Sequence, residues 1–256
     1  IYGLLGTLNM AEMAVRVSQL AAEDQAIVKA VAGLLMVVFC AKGAIFPLYL
    51  WLPGTYGRAQ PAVAALFVIM TKVGIYSVLR VFTLIFGNEA GALSGFAWEW
   101  LFPAGVLTVM MAALGVLAAV RMRIKAGYLV LVSAGTLFIA FSLNTPHSVA
   151  AGLYYLAHST FTGAAMFLIV EMIRQHRTTD RLTVILPMIH RALPGTLFMI
   201  VAIAAIGLPP LSGFIGKFSL LASTSDEQLG WVWGTILLSG FFVLVALTRA
   251  GAKLFW

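Results

Sequence analysis

The sequence predicts an all-α fold: a polytopic transmembrane helical bundle in which two helices are broken. Three observations lead there. Hydrophobic residues make up 62% of the 256 positions and charged residues only 10%, whereas soluble domains sit near half apolar and a quarter charged. Several apolar runs reach the roughly 20 residues that a helix needs to cross a bilayer. Two of those runs carry prolines and glycines in their interior, where proline removes a backbone hydrogen bond and clashes with the preceding turn. A transmembrane β-barrel would alternate apolar and polar residues in segments of about ten, and no such alternation is present.

Taken in order, Ile1 to Leu8 reads as the end of an apolar helix whose start is missing, so the chain is expected to be part of a longer protein. Asn9 to Gln25 is polar and reads as a loop. The first full span runs from about Ile27 to Leu52, with Gly43 and Pro47 as break points beside Lys42. Pro53-Gly54 predicts a turn, and Pro61 suits the first turn of the next helix, about Ala62 to Phe86. On that helix Lys72, Tyr76, Arg80 and Thr83 fall on one stripe by helical spacing.

Gly87 to Trp100 reads as a loop whose Trp98 and Trp100 suit a membrane interface. Spans are expected over Leu101–Val120 and Ala126–Leu143. The tight turn Asn144-Thr145-Pro146-His147 leads into another, Ser148–Ile173. A longer loop over Arg174–Pro194 carries Arg174, Arg177, Arg181 and Arg191. The second broken span is Gly195–Leu220, interrupted by Gly207, Pro209, Pro210, Gly213 and Gly216. A last span covers Trp231–Leu247.

The net charge of +7 does not signal nucleic acid, because the cations lie in short loops between spans. If every span crosses once, the basic loops (Arg121–Lys125, Arg174–Arg191, Arg249–Lys253) share one side. The acidic ones (Glu89–Glu99, Asp226–Glu227) share the other. By the positive-inside rule the basic side is cytoplasmic. Cys40 is the single cysteine, which excludes a disulfide within the chain and leaves no zinc constellation. No cofactor or metal site is expected.

The ionisable residues inside the spans are the candidates for chemistry. An ammonium at the centre of a bilayer helix costs on the order of 2.5–3.5 kcal/mol on insertion scales. Lys42 and Lys72 both fall in apolar runs, and the default reading of such residues is an ion or proton pathway. Lys217 follows the Pro209-Pro210 break, which can leave it lining a cavity. His158 shares a face with Tyr154, Tyr155 and Thr162, and its pKa near neutrality suits a proton relay. Lys125, like Arg80, lies nearer a helix end, where a long side chain can snorkel to the interface. All nine acids fall in loops or at helix ends, with Glu171 the closest to a span interior. A buried lysine ordinarily needs a carboxylate, so these lysines are either neutral by desolvation or partnered from outside this stretch. Broken helices at bilayer depth line a cavity or are buried in protein, and secondary transporters place them in corresponding positions of two repeats.

At these residues the chain resembles a known family. AKGAIFPLYLWLPGTY, then MTKVGIYSVLR, YYLAHSTFTGAAMFL, GLPPLSGFIGKFSLL and RAGAKLFW are similar to the D subunits of the multisubunit Mrp (or Pha) cation/proton antiporters. More distantly they resemble the antiporter-like subunits in the membrane arm of respiratory complex I. The resemblance implies two inverted repeats, each with a broken helix bearing a lysine. It assigns 1–10 to a helix stub, 27–86 to the end of the first repeat and 101–247 to the second, all within one proton-translocating domain over 1–256. It further implies that Lys42 pairs with a glutamate on an earlier helix and that Lys72 relays protons on the neighbouring one. Lys125 and His158 would then link along a central axis, and Lys217 would serve the exit. Complex I relatives often carry a lysine one turn after the histidine, where this chain has Thr162.

The function expected is that of a membrane subunit exchanging H⁺ for Na⁺ or K⁺ in a bacterial inner membrane, alongside other Mrp-type subunits. It would be a secondary transporter subunit and not an enzyme. The rival is a proton-pumping subunit of an NADH–quinone oxidoreductase. A seven-span retinal protein or receptor is disfavoured, since no intramembrane acid could serve as counter-ion.

Overall fold

The computed structural model describes residues 1–177, 179–182 and 192–255. The all-α expectation holds: among the described residues every regular element is helical. Six helices among the described residues are long and apolar enough to cross a membrane, and two shorter apolar helices flank the second break.

Two corrections fall near the N-terminus. The polar stretch expected to be a loop folds, after a short α1 (Tyr2–Leu5), into α2 (Met10–Ser18). Asn9 caps it by accepting the Ala11 N–H at 3.0 Å, and Met13 and Val17 bury its apolar face. The periodicity is short, and the polar residues that suggested a loop are its solvent face. Likewise, Pro53-Gly54 forms no turn but lies inside α4 (Trp51–Arg58). Pro53 falls in the first turn, where a missing N–H costs nothing.

α3 (Ala22–Gly43) starts earlier than the sequence suggested and stops one residue after Lys42. α5 (Pro61–Leu84) begins with its proline at the first helical position, as expected. A 3₁₀ turn over Asn88–Leu93 then leads to α6 (Phe96–Ala118). There Trp98 is buried and only Trp100 is exposed, so the expected interfacial pair is one residue.

α7 (Met122–Ser142) is the central helix, buried around nearly its whole circumference. Its small residues explain how neighbours reach it. A Cβ on Gly135 would stand 2.9 Å from the Gly105 carbonyl oxygen of α6, and one on Gly127 2.9 Å from Pro53 Cα of α4. α8 (Pro146–Arg177) is capped by a reciprocal pair. The Thr145 Oγ1 accepts the Ser148 N–H, and the Ser148 Oγ accepts the Thr145 N–H, both at 3.1 Å. α8 runs past the expected end at Ile173, so Glu171 lies farther from its end than expected, and it pairs with Arg174 at 2.6 Å. α9 (Ala192–Ile206) and α10 (Ser212–Ala222) are the halves of the second interrupted span. α11 (Asp226–Phe255) completes the bundle and extends through Arg249 and Lys253. The loop expected over Arg174–Pro194 falls partly on helix, and its Arg191 lies outside the described residues.

Both ends have a chemical character. Val120–Met122 pairs with Asp180–Leu182: the Met122 N–H meets the Asp180 carbonyl and the Leu182 N–H meets the Val120 carbonyl, each at 2.9 Å. That pairing gathers Arg121, Arg123 and Arg181 at one end, beside Arg249 and Lys253. At the other end Asn88 and Ser94 lie beside Asn144 and Thr145 in a polar hollow.

Candidate functional site: two interrupted helices and the lysines between them

The first break is α3–α4. The helix ends with Ala44 in the left-handed region at φ 57°, and the Ala44 and Ile45 N–H groups return to the carbonyls of Ala41 and Cys40. Two side chains complete the junction, one from α6 and one from α4 itself. Thr108 of α6 accepts the Phe46 N–H at 2.8 Å, and the Trp51 indole donates to the Ala41 carbonyl at 3.1 Å. Pro47 lies in the connecting segment, and Gly43 marks a close crossing. A Cβ on Gly74 would stand 3.0 Å from Gly43 N and 3.1 Å from the Lys42 carbonyl carbon. The Lys42 backbone is therefore pressed onto α5 two residues from Lys72. Their side chains diverge: Lys72 is buried, whereas Lys42 is exposed on the outer face of this chain.

Lys72 Nζ donates to Ser133 Oγ at 2.5 Å, and that hydroxyl donates to the Val130 carbonyl at 2.7 Å. Tyr76 and Arg80, expected on the same stripe, face outward instead, and the Thr83 hydroxyl bonds back to Leu79. The angular drift between positions four apart, about 40°, is enough to carry Tyr76 over the edge of the buried arc.

The second break, α9–α10, accounts for its backbone almost completely. A helix leaves its last four carbonyls without intrahelical partners, and in a membrane each must be satisfied. The Ile203 carbonyl accepts from the N–H groups of Gly207 and Leu208. The Ala204 carbonyl lies 3.2 Å from His158 Nε2. The Ile206 carbonyl accepts from Lys217 Nζ at 2.7 Å, with Ala205 at 3.5 Å. Lys217 thus caps the negative end of α9. The glycines make room for this: a Cβ on Gly207 (φ +85°) would stand 2.8 Å from Lys217 Cδ, and one on Gly213 2.2 Å from the Ala204 oxygen. Pro209 and Pro210 occupy the segment between the two helices.

His158 touches both halves of the break. Its Nδ1 lies 2.8 Å from Ser212 Oγ, the first residue of α10. A carbonyl only accepts, so the Ala204 contact assigns a proton to Nε2. Nδ1 then accepts from the Ser212 hydroxyl when the ring is neutral and donates to it when the ring is charged. Ser133 and His158 line the same cavity of about 30 Å³, together with Tyr155, Ser159 and Thr162. That volume is ample for a water molecule, which needs at least about 10–15 Å³ and two or more polar partners. Tyr154, expected beside Tyr155, faces outward.

Lys125 is the residue that the fold does not bring to this group. It stands in the first turn of α7, its Nζ donating to the Val116 carbonyl, in a separate pocket with Arg249 and Lys253. Ser133, Ser212 and Thr108 escaped the sequence reading. Each is a single hydroxyl in an apolar stretch, and only the partner across the bundle distinguishes it from a self-satisfied serine or threonine.

Fold and site together define a multi-pass membrane protein in which buried lysines and a histidine are built around two helix interruptions. The chain belongs to the family described as NADH:quinone oxidoreductase/Mrp antiporter, transmembrane, whose model matches residues 1–243. The D subunit of a "Probable K(+)/H(+) antiporter" from Rhizobium meliloti (strain 1021) is 39% identical over 287 aligned residues, covering 100% of this chain and 53% of the relative. The D subunit of the Na(+)/H(+) antiporter of Bacillus subtilis (strain 168) is 34% identical over 258 residues, covering 100% of this chain and 51% of the relative. The chain spans about half the length of these curated relatives. Among solved structures, a chain of the Mrp complex from Dietzia sp. DQ12-45-1b superposes with a TM-score of 0.87 at 25% identity, covering 97% of this chain and 45% of that one.

Proposed function

We propose that this chain carries the proton-conducting part of an antiporter subunit that exchanges H⁺ for Na⁺ or K⁺. The observation that carries the reading is the shared cavity. Ser133, which holds the Lys72 ammonium, and His158, which spans the second break, face one space large enough for water. A proton leaving Lys72 reaches His158 through Ser133 and a water in that cavity. From His158 it passes toward Lys217, whose ammonium lies on the neighbouring carbonyls of the same helix end. Each group changes charge state in turn, so only part of the row is positive at one time and mutual repulsion moves the charge onward.

In this scheme Lys42 is the lateral end of the row. Its exposed side chain on an otherwise apolar face calls for a carboxylate on another helix or subunit. The two interrupted spans act as the corresponding elements of two repeats. Residues 27–86 close the first repeat and 101–247 form the second. The basic end faces the cytoplasm of a bacterial inner membrane, by the positive-inside rule. Other antiporter subunits are its partners, a reading supported by the names of the relatives and by the Mrp superposition. Those names also favour exchange over the rival, a proton-pumping role beside quinone-reducing subunits. Lys125 is placed outside the relay.

The test is cation-driven proton exchange in everted vesicles carrying the full-length protein within its complex. Lys72→Ala and His158→Ala should each slow exchange by at least about tenfold, short of the roughly hundredfold or more that a positioned proton carrier contributes. Lys125→Ala should slow it much less. Wild-type rates in either of the first two variants would sink the reading.

A further inference from the structure

We propose that the pocket between the end of α6, the start of α7 and the end of α11 binds a phosphate-type oxyanion. It is distinct from the relay and does not depend on it. The pocket has a volume of about 190 Å³ and is lined by Lys125, Arg249 and Lys253 together with the Ala118–Val120 backbone. Arg249 and Lys253 are four apart on α11, so two like charges share one helix face, an arrangement that costs stability on its own. Lys125 meets them from α7, and they are the charges that act on it most.

Nothing described within the chain neutralises this trio. Of the acids at this end, Asp180 pairs with Arg123 at 3.3 Å and Glu171 with Arg174 at 2.6 Å. Among the described residues no carboxylate forms an ion pair with Lys125, Arg249 or Lys253. An ammonium carries three donors, and the Val116 carbonyl engages one from Lys125. Lys125 is buried among the helices yet lines this pocket, so its remaining donors are available to oxygens held there. The space exceeds what a monatomic anion needs. An arginine fork flanked by two ammonium groups matches the several oxygens of a phosphate.

Two sources supply that chemistry: the headgroup of an anionic phospholipid in the leaflet at this end, or soluble phosphate. The probes are phosphatidylglycerol, phosphatidylcholine and inorganic phosphate. Each is added in turn to the full-length protein within its complex in neutral detergent. Thermal unfolding is followed, and retained lipid is counted by native mass spectrometry. Phosphatidylglycerol should raise the melting temperature and remain bound, while phosphatidylcholine should do neither. Arg249→Gln and Lys253→Gln should each weaken the effect about fivefold, as expected for one cation removed from an anionic headgroup. Stabilisation by inorganic phosphate to the same extent identifies the soluble anion as the source. Stabilisation by phosphatidylglycerol alone identifies the headgroup. The proposal is overturned if wild type responds equally to both lipids and not to phosphate, or if the double variant keeps the full response. Should the variants fail to assemble, the wild-type comparison decides by itself.

Discussion

Ser133 is the residue on which the buried charge of α5 depends. Its hydroxyl is the acceptor for Lys72 Nζ, and a buried donor left without a partner costs about 1–3 kcal/mol. Ser133→Ala should lower the melting temperature of the assembled protein and slow exchange, and Ser133→Thr should restore most of both. Unchanged melting and exchange in the alanine variant would remove Ser133 from the site. Gly213 makes a sharper case. The Cβ of an alanine there would lie 2.2 Å from the Ala204 oxygen, a backbone atom that cannot swing aside as a side chain can. Gly213→Ala should therefore displace α10 from α9 and abolish the His158 bridge, with a loss of exchange that exceeds the loss of stability. An equally active alanine variant would contradict the close approach of the two halves.

At the scale of elements, the two breaks end differently, and the way the first is closed is testable. The first is tied by Thr108 of α6 to the Phe46 N–H. Thr108→Val keeps the shape but removes the acceptor, and should cost about 1–3 kcal/mol, read as a lower melting temperature with faster amide exchange at Phe46. Protection unchanged at Phe46 would show that another group holds the junction. Outside the membrane, the α1–α2 corner is held by Glu12. The Thr7 hydroxyl donates to it at 2.7 Å, and Arg16 binds both Glu12 and the Leu5 carbonyl. The Thr7 hydrogen bond, then Arg16, hold its carboxyl below the usual value of 4.5. A depressed folded-state pKa adds stability above that value and loses it as pH falls through the folded one. Local amide protection in α2 should thus decline as the pH falls below 4.5, and Glu12→Gln should flatten that decline. Protection independent of pH in the wild type would contradict it.

Over the whole molecule, the sequence was most legible where apolar length decides the outcome. Span number and both breaks follow from hydropathy and proline placement, because lipid tolerates few alternatives. It was less legible where a neighbour decides. Pro53 sits in a helix because its position in the first turn hides the missing donor, and Met10–Ser18 is helical because Met13 and Val17 find a surface to cover. Sequence spacing set Tyr76 beside Lys72, but only the packed bundle shows that the buried arc ends between them. The candidate lysines were visible as unusual residues in apolar runs. Ser133, Ser212 and the freed carbonyls that receive His158 and Lys217 were not, since each is defined by a contact across the bundle and none by composition. Lys125 shows the reverse, a membrane lysine whose surroundings separate it from the others.

The central claim is that Lys72, His158 and Lys217 act as one relay through the space lined by Ser133, Ser159 and Thr162. Ser159→Leu fills that space while leaving every lysine and histidine in place. With complex assembly verified, cation-driven proton exchange in everted vesicles should then fall by at least about tenfold. Exchange at the wild-type rate in the assembled Ser159→Leu complex would show that protons do not pass through this cavity.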